Sequence, residues 1–174
     1  MLIKIIYKVE ADRLKTYENK IFDYFDGHTI ISEQDRKFIS HPLNKNIVIV
    51  ENGIDEYFFN YDSSRVKQKY DIVFVGNLSY PPNIESCLFI ANKIIPYFEA
   101  KGVSITVLLS GANPSQSVLK LDGNKNVTVG GWVDDIRESY CQGSVFVAPL
   151  FIGSGLQNKL LEAMALNVPC VTTT

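Results

Sequence analysis

Apolar residues along the chain follow two alternating patterns. Short runs rich in apolar residues occur at residues 46–50, 71–75, 103–109, 126–129, 144–148 and from Cys170 onward, that of 145–148 being continuous. A run with no polar side reads as a parallel strand buried on both faces. Between the runs the apolar positions recur at helical spacing. Leu14, Tyr17, Ile21, Phe22, Tyr24 and Phe25 predict a helix over residues 12–25, ended by Gly27. Residues 28–31 read as a short strand, and Ser32 opens a helix with Asp35 at the capping-box position. A helix follows the 76–83 loop to about residue 99, with a distortion expected near Pro96. Shorter helices are expected up to Leu121 and over 135–142. Leu156, Leu160, Leu161, Met164 and Ala165 predict a last helix, with Asn167 as its C-cap and Pro169 blocking its continuation.

Strand and helix alternating at this spacing imply an α/β fold with a doubly wound parallel sheet. Right-handed crossovers put every strand-to-helix loop on one edge of such a sheet, where ligands bind. The loops at 76–83, 130–133 and 150–156 therefore converge. Residues 51–55 read as a turn and the aromatic, then polar, stretch 56–69 as a linker.

Composition narrows the choices. With 46% hydrophobic and 21% charged residues, the 174-residue chain can build a core. A net charge of −2 gives no bulk reason to expect nucleic acid. Cys87, Cys141 and Cys170 are unclustered in apolar contexts, as in buried reduced thiols of a cytoplasmic protein. Apolar runs are too short for a membrane span, and residues 1–6 are too short for a signal peptide. His28 and His41 read as structural, and there is no nucleophile elbow, Walker loop or metal cluster.

The segment 144–172 carries the chemistry. Gly153 and Gly155 bracket Ser154 between a strand and a helix. Such a loop offers unpaired backbone N–H groups and the positive end of a helix dipole to a phosphate or diphosphate. Glu162, two turns into that helix, can accept hydrogen bonds from ribose hydroxyls. Spacing alone does not separate this from an ordinary βαβ turn with a solvated glutamate.

Leu161-Glu-Ala-Met-Ala165, with the glycine loop before it and Pro169 after it, resembles the signature of family 4 glycosyltransferases, retaining enzymes of the GT-B fold. Gly155-Leu-Gln-Asn-Lys-Leu-Leu-Glu162 is most similar to sugar transferases of bacterial exopolysaccharide pathways. Ile49-Val-Glu-Asn-Gly-Ile-Asp55 resembles the family's crossover between its two Rossmann domains, with Glu51 where proline is usual. Ser154 stands where the family's first acidic residue falls. Asn77 and Pro82 stand where arginine and lysine often bind the diphosphate.

The resemblance implies a division into residues 1–55, the last elements of an acceptor-side domain with the crossover, the 56–69 linker, and a Rossmann-like donor domain over 70–174. It also implies that this fold is truncated at both ends. Donor-binding positions are then Gly76, Asn77 and Ser79 after one strand, Gly131, Trp132 and Val133 for the base, Gly153, Ser154, Gly155 and Leu156 for diphosphate and sugar, Lys159, and Glu162 for the ribose. Gly76 reads otherwise as a plain tight turn, Trp132 as a cover on the sheet edge, and Lys159 as a solvated charge. The implied activity is transfer of a sugar, as in a hexosyltransferase, from a nucleoside-diphosphate-sugar to a glycan or lipid-linked acceptor. No cofactor and no metal is expected, the protein being cytoplasmic or peripheral to the inner membrane. Open sheet edges allow self-association. A GT-B sugar-nucleotide epimerase and a non-catalytic nucleotide-binding fragment are the alternatives.

Overall fold

The computed structural model describes residues 2–123, 126–151 and 157–173. They form two compact units, residues 2–53 and residues 54–151 with 157–173.

The first unit begins with a longer helix than its apolar spacing suggests. Helix α1 runs Leu2–Phe22, not from residue 12. Ile3, Ile6, Val9, Leu14 and Tyr17 along it are exposed, and Phe22 is its buried residue. The Phe22 ring is sandwiched between His28 at 3.7 Å and His41 at 3.9 Å. Both histidines are packing residues of this small core. Strand β1 (Thr29–Ile30) pairs in parallel with β2 (Val48–Ile49). The buried run expected at 46–50 is confined to Ile47, for Val48 and Val50 are exposed. Helix α2 (Glu33–Phe38) starts at Ser32, whose Oγ accepts from the Asp35 N–H and donates to Asp35 Oδ2.

The second unit is the doubly wound domain. Its elements are α3 (Glu56–Phe59), β3 (Tyr70–Val75), α4 (Pro81–Phe89), α5 (Ile95–Glu99), β4 (Val107–Ser110), α6 (Gln116–Leu119), β5 (Val127–Gly131), α7 (Ile136–Cys141), β6 (Gly143–Ala148), α8 (Asn158–Ala165) and β7 (Cys170–Thr172). The five strands are parallel in the order β5-β4-β3-β6-β7. The chain moves outward from β3 to β5, then crosses back to β6 on the other side of β3. The order reverses between β3 and β6, which opens a crevice at their carboxyl ends. Val73, Phe74, Val107, Leu109, Phe146 and Ala148 are buried on these central strands.

Several boundaries differ from expectation for local reasons. Strand β4 starts at Val107, not 103. Asp71 Oδ2 accepts from both the backbone N–H and the hydroxyl of Thr106, at 2.7 and 2.9 Å, which fixes the strand start. The helix distortion lies ahead of Pro96, as a π turn over Ile90–Ile94. Proline has no N–H for the carbonyl four residues back, and the wider turn accommodates its ring. Strand β7 is an edge strand with Val171 exposed, where a buried strand was expected. The stretch 56–69, expected as a linker, contains α3 and a 3-10 turn at Ser63–Arg65, with Phe58, Tyr61 and Val66 packed on the domain core.

Candidate functional site

A cavity of about 450 Å³ opens at the carboxyl ends of the central strands. Val75, Gly76, Asn77, Asn83, Gly111, Ala112, Trp132, Val133, Ile136, Tyr140, Lys159 and Glu162 line it. Each comes from the end of a strand, a following loop, or the helix behind it.

The rear wall is backbone. Gly76 N–H donates to the Ser110 carbonyl at 3.1 Å, and Gly111 N–H to the Gly131 carbonyl at 2.8 Å. Gly111 has φ +140°, and a Cβ there would lie 1.8 Å from the Gly76 oxygen. Only glycine fits this position. Where β5 leaves the sheet its register shifts, Leu109 pairing with Val129 and Ser110 with Gly131. This bulge, with Gly131 at φ +65°, redirects the chain into Trp132 and Val133. Gly130 and Gly131 thus belong to the strand, not to the loop expected there.

The polar groups come from α8 and its neighbours. Lys159 Nζ donates to Asn83 Oδ1 at 2.5 Å and lies 5.1 Å from the centre of the Phe74 ring. Asn83, itself buried, passes the bond on from Nδ2 to the Asn77 carbonyl at 2.9 Å. Burial holds the Lys159 ammonium below the usual lysine range, opposed by Cys87 and Glu162. Asn83 takes one of its three N–H donors, which leaves donors for a ligand in the cavity. One turn further along α8, Glu162 Oε2 accepts from the Tyr140 hydroxyl at 2.7 Å. The cavity therefore offers one cation and one carboxylate on a single helix face.

Beside it, Arg137 locks α3 against α7. Its guanidinium donates to Asp135 and to the Tyr57 carbonyl, and stacks on the Tyr57 and Tyr61 rings at 3.1 and 4.4 Å. The Asp135 carboxyl is held below its usual range, mainly by the Arg137 hydrogen bond. This pair fixes the start of α7, which carries Ile136 into the cavity.

Of the residues expected to bind a donor, Gly76, Asn77, Trp132, Val133, Lys159 and Glu162 are brought together. Ser79 and Gly131 do not line the cavity. Ser79 instead bonds Asn77 Oδ1 through both its N–H and its hydroxyl. Gly153, Ser154, Gly155 and Leu156 lie outside the described residues. Trp132, at the mouth, is 70% exposed. Val75, Asn83, Gly111, Ala112, Ile136 and Tyr140 were missed. Gly111 opens a strand-to-helix loop and was legible as a loop glycine; the others depend on long-range packing.

Residues 69–174 match the family model described as glycosyl transferases group 1. The chain belongs to this family. An uncharacterized 44.6 kDa protein in the cps region of Klebsiella pneumoniae is 24% identical over 180 residues, covering 90% of this chain and 46% of that protein. The structure of Anabaena HepE in complex with UDP and glucose is similar over 91% of this chain and 48% of its own, at 14% identity and a TM-score of 0.67. A Staphylococcus aureus TarM variant, in complex with fondaparinux, alpha-GlcNAc-glycerol and UDP, is similar over 86% and 30%, at 16% identity and a TM-score of 0.62. These structural likenesses are of fold. The chain spans less than half the length of each of these relatives.

Among the described residues, no group of three or more His, Cys, Asp or Glu is arranged to hold a metal ion. No helix among them is long and apolar enough to cross a membrane.

Proposed function

We propose that the chain is the donor-binding part of a retaining glycosyltransferase that moves a sugar from a nucleoside-diphosphate-sugar to an acceptor hydroxyl. The observation that carries this reading is the placement of Lys159 and Glu162. They stand one turn apart on α8, facing a cavity at the point where the strand order reverses. A nucleoside diphosphate has groups to match. The ribose hydroxyls donate to Glu162, the diphosphate accepts from Lys159 and from backbone N–H groups near Gly76, and the base lies along Trp132 and Val133. Breaking the anomeric bond builds negative charge on the diphosphate, and fixed donors stabilise it without a metal. HepE, with UDP and glucose in its structure, supports a uridine or similar donor, and the cps-region relative supports a role in exopolysaccharide or cell-surface glycan synthesis.

Calorimetric titration of the chain with UDP, ADP and GDP in the presence of a chelator tests the reading. At least one should bind, and Glu162→Ala should weaken it by about 1–3 kcal/mol, the scale of a lost charged hydrogen bond. A strict requirement for magnesium or manganese, or equal affinity in the variant, would refute it.

A further inference from the structure

The Tyr140 side chain is fully buried, its ring 5.2 Å from that of Phe146 on β6. Its hydroxyl reaches across from α7 to α8 to donate to Glu162 Oε2 at 2.7 Å. A phenol placed this deep needs a partner for its O–H, and here the partner is a half-buried carboxylate. Glu162 has three side-chain torsions and would otherwise sample several positions at the cavity wall. With Oε2 held, Oε1 is left to accept from a ligand. Burial first, and then the Glu162 charge, push the Tyr140 ionisation well above the usual tyrosine range. The shift keeps the phenol a donor to Glu162.

The geometry points to Tyr140 as a positioning residue that fixes the Glu162 carboxylate for the ribose hydroxyls and so sets a preference for ribonucleotides over deoxyribonucleotides. This rests on the donor reading above. Tyr140 acts through Glu162, by holding the carboxylate oxygen that its hydroxyl bonds.

The test is the ratio of affinities for a ribonucleoside diphosphate and its 2′-deoxy counterpart. UDP, ADP and GDP are each titrated beside dUDP, dADP and dGDP, on the chain and on Glu162→Ala, Tyr140→Phe and the double variant. Glu162→Ala should lose the ribose preference, about 10- to 100-fold. Tyr140→Phe should lower that preference by about three- to tenfold, weakening ribonucleotide binding more than deoxynucleotide binding. The double variant should be no worse than Glu162→Ala, since one residue acts through the other. A merely structural tyrosine would change both nucleotides alike. If Glu162→Ala abolishes the preference but Tyr140→Phe retains it, the positioning role is overturned and the ribose contact stands. If Glu162→Ala retains the preference, or no nucleotide binds, the donor reading falls and takes this one with it. Should Tyr140→Phe fail to fold, Glu162→Asp replaces it. The shorter carboxylate is withdrawn from Tyr140 and should lose the preference as fully as alanine; a retained preference would overturn the proposal.

Discussion

Cys87 and Lys159 influence each other, and burial moves their protons in opposite directions. The Cys87 thiol is fully buried and pushed up to about 12, while the Lys159 ammonium is held below its usual range. For Cys87 the consequence for stability has a definite sign. Below pH 9.0, its ordinary value, the thiol is protonated in both states and contributes nothing. Between about 9 and 12 the unfolded chain releases a proton that the folded chain retains. Stability therefore falls with rising pH, by at most about 1.4 kcal/mol per pH unit. Urea unfolding of the chain and of Cys87→Ala should show a stability difference that is flat up to pH 8 and moves against the unmodified chain above 9. A constant difference through pH 10 would mean the thiol is not held away from water. Lys159→Met should weaken nucleoside diphosphate binding without lowering the thermal midpoint, because it removes a partly desolvated charge along with the phosphate contact. Such residue roles were only half legible in the sequence. Glu162 and Lys159 could be picked out because their helix and loop are continuous in the chain. Tyr140 and Asn83 could not, because their partners lie 22 and 76 positions away.

The helix that carries both charges is ended by its own C-terminal turn. Asn167 has φ +58°, its N–H donates to the Met164 carbonyl, and the Val168 N–H donates to the Ala163 carbonyl. This is the Schellman arrangement, closed by Val168 against Ala163, both buried. Asn167→Gly should hold or raise stability. Asn167→Val, forced into a left-handed conformation, should cost about 1–2 kcal/mol in a denaturant titration. Gly111→Ala should be far more damaging, since the added carbon would meet the Gly76 oxygen and part the loops after β3 and β4. Circular dichroism melts would show a large drop in midpoint, or no folded protein; an unchanged melt would contradict the close approach. Element type was legible wherever an apolar run or a helical period was long. Element ends were not. Strand β4 starts just after Thr106, which Asp71, in another strand, holds in place, and the π turn answers a proline that follows it. The apolar spacing of residues 14–25 located a helix but hid its beginning, for the residues before it are apolar and nonetheless exposed.

At the scale of the molecule, the strand order was foreseen as a class and not in detail. Alternation implied a parallel doubly wound sheet, but the crossing from β5 back to β6 is a matter of tertiary packing. That crossing creates the cavity and brings loops together that are far apart in sequence. The resemblance to GT-B enzymes implies that transfer takes place in a cleft between two domains, where closure aligns acceptor with donor and excludes water. This chain spans 48% of HepE. A transfer assay should accordingly find no turnover by this chain alone and turnover by a chain of the relatives' full length; comparable rates would contradict the division of labour. The most direct measurement is a crystal structure of the chain grown with the nucleoside diphosphate that binds it best. It should show the ribose hydroxyls on Glu162, the phosphates beside Lys159 and Gly76, and the base along Trp132 and Val133. A nucleotide bound elsewhere, or turned with its phosphates away from Lys159, would contradict the account.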